Sequence, residues 1–351
     1  MVVVTRVIPV DPVAPDRTAI QEAADALRDG RLVAFPTETV YGLGAHALDA
    51  AAVWRIFDAK GRPATDPLIV HVTDLDAARA IVSALPDAAV RLAAAFWPGP
   101  LTLVLPRAER VPREVTAGLD TVAVRIPAHP VARALLAAAR IPVAAPSANL
   151  FSRPSPTTAA HVLEDLRDRI DILLDGGSTD VGVESTVLDL TGARPTILRP
   201  GAITDAMLRH VVPDVLTRHA TIDDQTAAPA PGMLAKHYSP RAPLTLYDGP
   251  AALVLARIAT DAAAALAAGQ RVGVLVMDED EVFVGQVARV GSETRPDIVA
   301  TRLYAALRAL DAAPVDVILA RQFPTEDGLG RAIRDRLSRS AGGRVIRVPE
   351  G

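Results

Sequence analysis

Two cations held close together by a rigid stretch of backbone are the first chemical signal in the chain. In KGRPATDPLIVHV (60–72), Lys60 and Arg62 flank Gly61, with Pro63 behind them. Like charges this close repel one another unless they face an anion, and a polyphosphate is a common partner. The competing reading is a solvated helix C-terminus, where cations also suit the helix dipole. Of the 37 basic residues only Lys60 and Lys236 are lysines. A lysine in a chain that otherwise writes arginine marks a place that needs a compact charge on a flexible stem.

Four further loops carry small polar side chains at strand ends. PTETVYGLG (36–44) sets Thr37, Thr39 and Tyr41 beside two glycines, which let a ligand approach the backbone while the hydroxyls supply neutral hydrogen bonds. APSANLFSRPSPTTAAHV (145–162) presents Ser147, Asn149, Ser152 and Ser155 around Arg153. VGVESTVLDL (181–190) puts Ser185 and Thr186 at a strand start, and ILRPGAIT (197–204) sets Arg199 in an Arg-Pro-Gly turn. Hydroxyl-rich loops with isolated arginines suit nucleotide and amino-acid ligands. Neither GxxxxGK[ST] nor GxGxxG occurs, so no standard nucleotide motif is present. His71, a single histidine in a strand, reads alone as structural.

The elements that must position these loops are legible from periodicity. Thr18 and Gln21 form a candidate capping box for the amphipathic helix IQEAADALRD, with Gly30 as its stop. Asp49 caps a helix running to Lys60 and Gly61. Strands are predicted at 31–35, 68–72, 101–106, 121–127, 171–176 and 185–190, with helices between several of them, including 129–140. This alternation predicts an α/β fold with a mixed sheet. Residues 214–243 are rich in Pro, Ala and polar side chains, without sustained period, and read as a linker. Strand–helix alternation then restarts (LTLYDG, RVGVLVM, IVATRLYAALRAL, DVILAR, AIRDRLSRS, RVIRV) and predicts a smaller Rossmann-like parallel sheet. The expected division is 1–212, a linker or lid at 213–243, and 244–351. In GLGRAIRDRLSR (328–339) the arginines read as a solvated helix face beside a packed Ile333/Leu337 stripe rather than as an anion or RNA site.

Composition narrows the class. The chain has 351 residues, is 50% hydrophobic with 3% aromatics, and carries a net charge of −4. That charge argues against broad attraction to nucleic acid. The absence of cysteine removes disulfides, thiolate metal sites and a cysteine nucleophile. No signal peptide or membrane-spanning run is visible, so a soluble, cytoplasmic protein is expected.

PTETVYGLG, KGRP followed by PLIVHV, PSAN with SPT, DGG with ESTV, and LRPGAIT occur here in the order found in the YrdC-like family. With PGMLAKHYSP and the α/β tail behind them, the chain resembles the long, two-domain form of the L-threonylcarbamoyladenylate synthases over nearly its whole length. The resemblance implies an N-terminal YrdC-like twisted mixed sheet with a smaller parallel-sheet domain after it. It implies a nucleotidyltransferase joining L-threonine, bicarbonate or CO2 and ATP, with Mg2+ accompanying the nucleotide. The product would pass to downstream tRNA threonylcarbamoyl transferase proteins, which modify tRNA adenosine 37. Thr39, His71, Arg125, Ala145 and Ser185 would line the threonine site. Arg62, Asp66, Thr121, Ser147, Ser155 and Arg199 would contact ATP, with Lys60 beside its phosphates and Tyr238 closing over the nucleotide.

In this reading Lys60 and Arg62 are the catalytic cations and Arg125 holds the threonine carboxylate. Stable binding of nucleic acid is not expected, and PGMLAKHYSP would act as a lid. Two positions depart from the family pattern: Asp66 where relatives usually carry Asn, and Ser152 where many carry Gly. A carbamoyltransferase of the hydrogenase-maturation type is set aside because its cysteine-rich zinc modules are absent. An RNA-binding translation factor is the remaining alternative, and the acidic net charge opposes it.

Overall fold

A computed structural model describes residues 3–217, 237–281 and 284–349. The chain divides into two compact units, Met1–Phe151 with Ser155–Leu234, and Ser152–Pro154 with Ala235–Gly351. Of the expected linker, residues 218–236 lie outside the described residues, including most of PGMLAKHYSP.

The first unit is built on strands β1 (Arg6–Pro9), β2 (Val33–Pro36), β3 (Tyr41–His46), β4 (Ile69–His71), β5 (Leu101–Pro106), β6 (Thr121–Arg125), β7 (Val143–Ala144), β8 (Ile172–Asp175), β9 (Thr186–Asp189), β10 (Thr196–Arg199) and β11 (Leu216–Thr217). They form one mixed sheet in the order β1-β8-β2-β3-β7-β4-β6-β5-β9-β10-β11. The short strands β1, β7, β10 and β11 go beyond the predicted set; two- to four-residue segments carry too little periodicity to be read alone.

Local signals explain the helices that bracket the sheet. Helix Arg17–Arg28 is capped by Asp16, whose side chain accepts from the Ala19 amide; the cap lies two residues before the predicted Thr18. Helix Ala50–Lys60 starts on Asp49 and ends at Gly61, where φ is +60°. This left-handed stop ends the helix between Lys60 and Arg62. YGLG, predicted as loop, is the start of β3. A Cβ on Gly44 would come within 2.9 Å of the Phe35 ring and 3.0 Å of Val143, so this glycine serves packing rather than ligand approach.

Alternation along the central strands gives the sheet two different faces. Val70, Leu101, Leu103, Leu105, Val122, Val124 and Leu188 join the main core. The intervening side chains Ile69, Val104, Ala123, Val187 and Leu198 form a separate small apolar cluster. By the same alternation Thr121, Arg125, His71 and Thr102 share the face of that cluster. A small apolar floor ringed by polar side chains is thus produced by strand period alone.

The second unit carries five parallel strands, β12 (Leu244–Asp248), β13 (Val272–Val276), β14 (Gln286–Arg289), β15 (Val317–Arg321) and β16 (Val345–Arg347), in the order β14-β13-β15-β12-β16. The parallel sheet was predicted; edge strand β14, of sequence QVAR, has no apolar run to announce it. Helix Gly328–Ser340 packs Ile333 and Leu337 as expected. Its arginines are not a solvated face. Arg336 is fully buried, lies 5.3 Å from the centroid of the Tyr238 ring and pairs with Asp335 at 2.5 Å, and Arg339 pairs with Asp335 at 3.0 Å. Asp335 is the counter-ion that permits their burial.

Ser152–Pro154 belong to this unit through local bonds: Arg153 pairs with Asp311 at 2.9 Å, Arg308 donates to Pro154 O at 2.6 Å, and the Ser239 amide donates to Ser152 O at 2.7 Å. Ser152 has φ +65°, a conformation that costs a side-chain-bearing residue about 1 kcal/mol relative to glycine. Ser152→Gly is therefore expected to stabilise the second unit by about 1 kcal/mol, read as a higher urea midpoint. An unchanged or lower midpoint would show that this turn carries no strain.

Candidate active site

Arg125 ends β6 directly beside His71 at the end of β4, its partner in parallel register. Its Nε donates to Gly99 O at 3.2 Å, its Nη1 to Thr39 Oγ1 at 3.0 Å, and its Nη2 lies 2.7 Å from Glu38 Oε1. The Thr37 hydroxyl donates to Val40 O at 2.6 Å, so at 2.8 Å it accepts from Thr39. The hydroxyls thus align in one direction, Arg125 to Thr39 to Thr37 to backbone, each polarising the next. The amides of Val181 and Gly182 donate to Glu38 O and Thr39 O at 2.8 and 3.1 Å. They tie the loop before Ser185 onto this cluster.

His71 is 2% exposed. Burial and then the Arg125 charge push it down to about 3, against a smaller opposing contact with the Ile69 backbone. The imidazole is therefore neutral at any working pH and available for hydrogen bonding without charge. Because its folded value lies below the unfolded one near 6.5, the unfolded chain binds the extra proton. The stability tied to neutral His71 is complete above about pH 6.5 and is lost as pH falls toward 3. His71→Gln is expected to flatten that limb of a stability–pH profile; an unchanged acid limb would remove His71 as its source.

The second cluster forms around Arg199. Its Nε and Nη2 reach Ser185 O at 3.1 and 3.0 Å, and Nη2 also reaches Ser185 Oγ at 3.1 Å. Ser185 Oγ lies 2.7 Å from Thr102 Oγ1. The Arg-Pro-Gly turn makes this approach feasible: a Cβ on Gly201 would fall 2.4 Å from the Thr186 amide nitrogen and 2.7 Å from Glu184 O. Ser155 donates to Glu184 Oε1 at 2.5 Å.

Lys60 and Arg62 are buried, at 2% and 7% exposure, which removes the solvated-terminus reading. Lys60 Nζ donates to Ser147 O at 2.6 Å and Asn149 O at 2.5 Å, while the Phe151 amide donates to Lys60 O at 2.8 Å. The lysine thereby shapes the serine-rich loop. Arg62 donates to Asp66 O and Pro67 O at 3.1 and 2.8 Å and pairs with the Asp66 carboxylate at 2.9 Å. Asp66, where relatives usually carry Asn, thus has its negative charge met by a cation within its own turn.

Ala145 lies against β4 through its amide, 2.9 Å from Ile69 O, and Ser147 bridges Gly42. Thr121 starts β6, on the face of Arg125 but about 13 Å from it at ~3.3 Å per residue. Tyr238 falls in the second unit, where its carbonyl accepts from Ser340 Oγ at 2.8 Å and its ring lies 5.5 Å from that of Tyr304. The other predicted residues are in the first unit. Sequence reasoning passed over Glu38, Thr102 and Glu184. Thr102 was visible as the one polar residue among the apolar positions of LTLVL, and Glu38 as the acid between two threonines in PTETVYGLG.

The profile of the Sua5/YciO/YrdC family, described as telomere recombination, matches residues 25–201. The chain belongs to the Sua5/YciO/YrdC family. A second profile, described as the threonylcarbamoyl-AMP synthase C-terminal domain, matches residues 203–342. The family member "Threonylcarbamoyl-AMP synthase" of Pyrococcus abyssi (strain GE5 / Orsay) is 46% identical over 94% of this chain and 96% of its own length. Its Bacillus subtilis (strain 168) namesake is 44% identical over 96% and 97%. Among solved family structures, that of P. abyssi Sua5 complexed with L-threonine matches with a TM-score of 0.93 at 44% identity, covering 98% of this chain and all of that one. Among the described residues no helix is long and apolar enough to cross a membrane.

Proposed function

We infer that this protein makes L-threonylcarbamoyladenylate from L-threonine, bicarbonate or CO2 and ATP, releasing pyrophosphate. The observation that carries this reading is the buried Arg125, held between Thr39 and neutral His71 at the strand ends of a member of this family. The P. abyssi relative whose fold it matches was solved with L-threonine. The threonine carboxylate lies on Arg125, which can form charge-assisted hydrogen bonds to it. His71, Ala145 and Ser185 line the rest of the amino-acid site. Arg62, Asp66, Thr121, Ser147, Ser155 and Arg199 take the nucleotide, with Lys60 beside the phosphates.

The chemistry needs no covalent catalyst. The amine loses a proton and captures CO2 as a carbamate, and a carbamate oxygen displaces pyrophosphate from the α-phosphorus. Positioning and charge neutralisation supply the acceleration. Arg199, fixed by three contacts to Ser185, and Lys60, fixed by two carbonyls, are pre-organised cations of the kind such a step requires. Among the described residues no group of three or more acidic or histidine side chains is placed to hold a metal. Mg2+ would accompany the phosphate oxygens of ATP, in keeping with its preference for phosphate and water.

The product is labile and must pass promptly to tRNA threonylcarbamoyl transferase proteins, which places the enzyme in the cytoplasm. The deciding measurement is pyrophosphate release from ATP in the absence of RNA. Release is expected only when threonine and bicarbonate are both present; release indifferent to threonine overturns the reading.

A further inference from the structure

The ion pair between Arg125 and Glu38 leaves hydrogen-bonding capacity unused. Nη2 of Arg125 is 2.7 Å from Oε1 of Glu38, but the contact is one of charge without hydrogen-bond alignment. Among the described residues, neither that nitrogen nor either Glu38 oxygen has a hydrogen-bond partner. Both side chains are buried, with Glu38 7% and Arg125 4% exposed. Unused polar capacity is costly in a protein interior and persists where a ligand takes it up. Nε and Nη1 of the arginine each already donate, to Gly99 O and Thr39 Oγ1.

What remains is a cation with a spare donor beside an anion with spare acceptors. This is the charge complement of a free α-amino acid, whose carboxylate and ammonium are separated by a single carbon. The carboxylate of Glu38 is also well placed to keep its position, because its backbone carbonyl accepts from the Val181 amide at 2.8 Å and both flanking threonines belong to the hydroxyl chain.

We propose that Glu38 is the specificity-determining residue for the substrate ammonium, so that the amino acid lies with its carboxylate on Arg125 and its ammonium on Glu38. The proposal rests on the reading of Arg125 as the carboxylate site. It gives the enzyme a means of rejecting carboxylates that lack an amine, since these would leave Glu38 buried without its partner. Selection for the amine falls at the atom that must go on to form the carbamate.

The test is calorimetric titration of the full chain with L-threonine and with 2,3-dihydroxybutanoate, which replaces the ammonium by a hydroxyl. The unaltered protein is expected to prefer threonine by about a hundredfold or more. Glu38→Gln is expected to weaken threonine by about ten- to a hundredfold, the scale of one charge-assisted contact, while the hydroxy acid changes little. Glu38→Asp, which keeps the charge, retains the preference. An equal loss of both ligands in Glu38→Gln, or no loss of either, overturns the proposal. So does a similar affinity of the unaltered protein for the two ligands, an outcome that does not depend on any variant folding. Arg125→Gln tests the underlying reading separately: it should lose both ligands, and threonine binding at full strength would refute the carboxylate site and with it the proposal, whereas the Glu38→Gln outcomes above overturn the proposal alone.

Discussion

Replacing Arg125 with alanine is expected to reduce threonine-dependent pyrophosphate release by about 10²- to 10⁴-fold. The guanidinium is the one buried cation at the paired ends of β4 and β6, and a carboxylate laid on it gains charge-assisted hydrogen bonds of ~1.5–3 kcal/mol each. Loss of two such contacts gives that range at ~1.4 kcal/mol per decade. The substitution also leaves the Glu38 carboxylate buried beside an empty space, which costs about 3–5 kcal/mol of stability. Arg125→Lys should recover much of that stability but little of the activity. A point charge cannot reach Gly99, Thr39 and the substrate in the fork geometry of the guanidinium. Pyrophosphate release by Arg125→Ala within a few fold of normal would remove Arg125 from the site.

The second large effect is expected for Lys60→Ala, with adenylate formation falling by about tenfold to a thousandfold. The structure adds a second reason to the charge argument. Lys60 Nζ is the donor to Ser147 O and Asn149 O, and its removal deprives one half-buried and one buried carbonyl of that donor, at about 1–3 kcal/mol for the buried one. The variant should therefore lose stability as well as rate, and ATP affinity should weaken because the 145–151 loop relaxes. Lys60→Arg is not expected to rescue either quantity, since a planar guanidinium is too wide for a place shaped by two close carbonyls. Normal ATP binding together with an unchanged melting midpoint in Lys60→Ala would contradict this account.

The scarcity of lysine in the sequence pointed to Lys60, but the meaning of the signal changed once contacts were visible. The residue was read as a cation facing phosphate; the fold gives it, in addition, the task of holding the serine-rich loop. Arg62 and Asp66 show the same shift. Their opposite charges, four residues apart just past a helix end, meet because the chain turns over Pro63–Asp66, where the Asp66 amide donates to Pro63 O at 3.2 Å. The arginines of helix Gly328–Ser340 make the converse case: their spacing suggested a wet surface, yet Arg336 is buried against Tyr238 and Asp335. Sequence period reports which residues share a helix face; what covers that face depends on segments distant in the chain.

The two α/β sheets were legible from local periodicity, and the order of the loop motifs carried the resemblance that indicated the family and its substrates, because both kinds of signal lie in residues adjacent in the chain. The assembly of Arg125, His71, Glu38, Thr39, Ser185 and Arg199 was not contained in any one segment. It depends on parallel register between β4 and β6, on the bulge that brings Arg199 opposite Val187, and on the close packing of Gly201 against the backbone at residues 184–186. Each of these contacts joins residues brought together by long-range strand pairing or by a turn folding back on the chain, and their energies are decided only when the core closes.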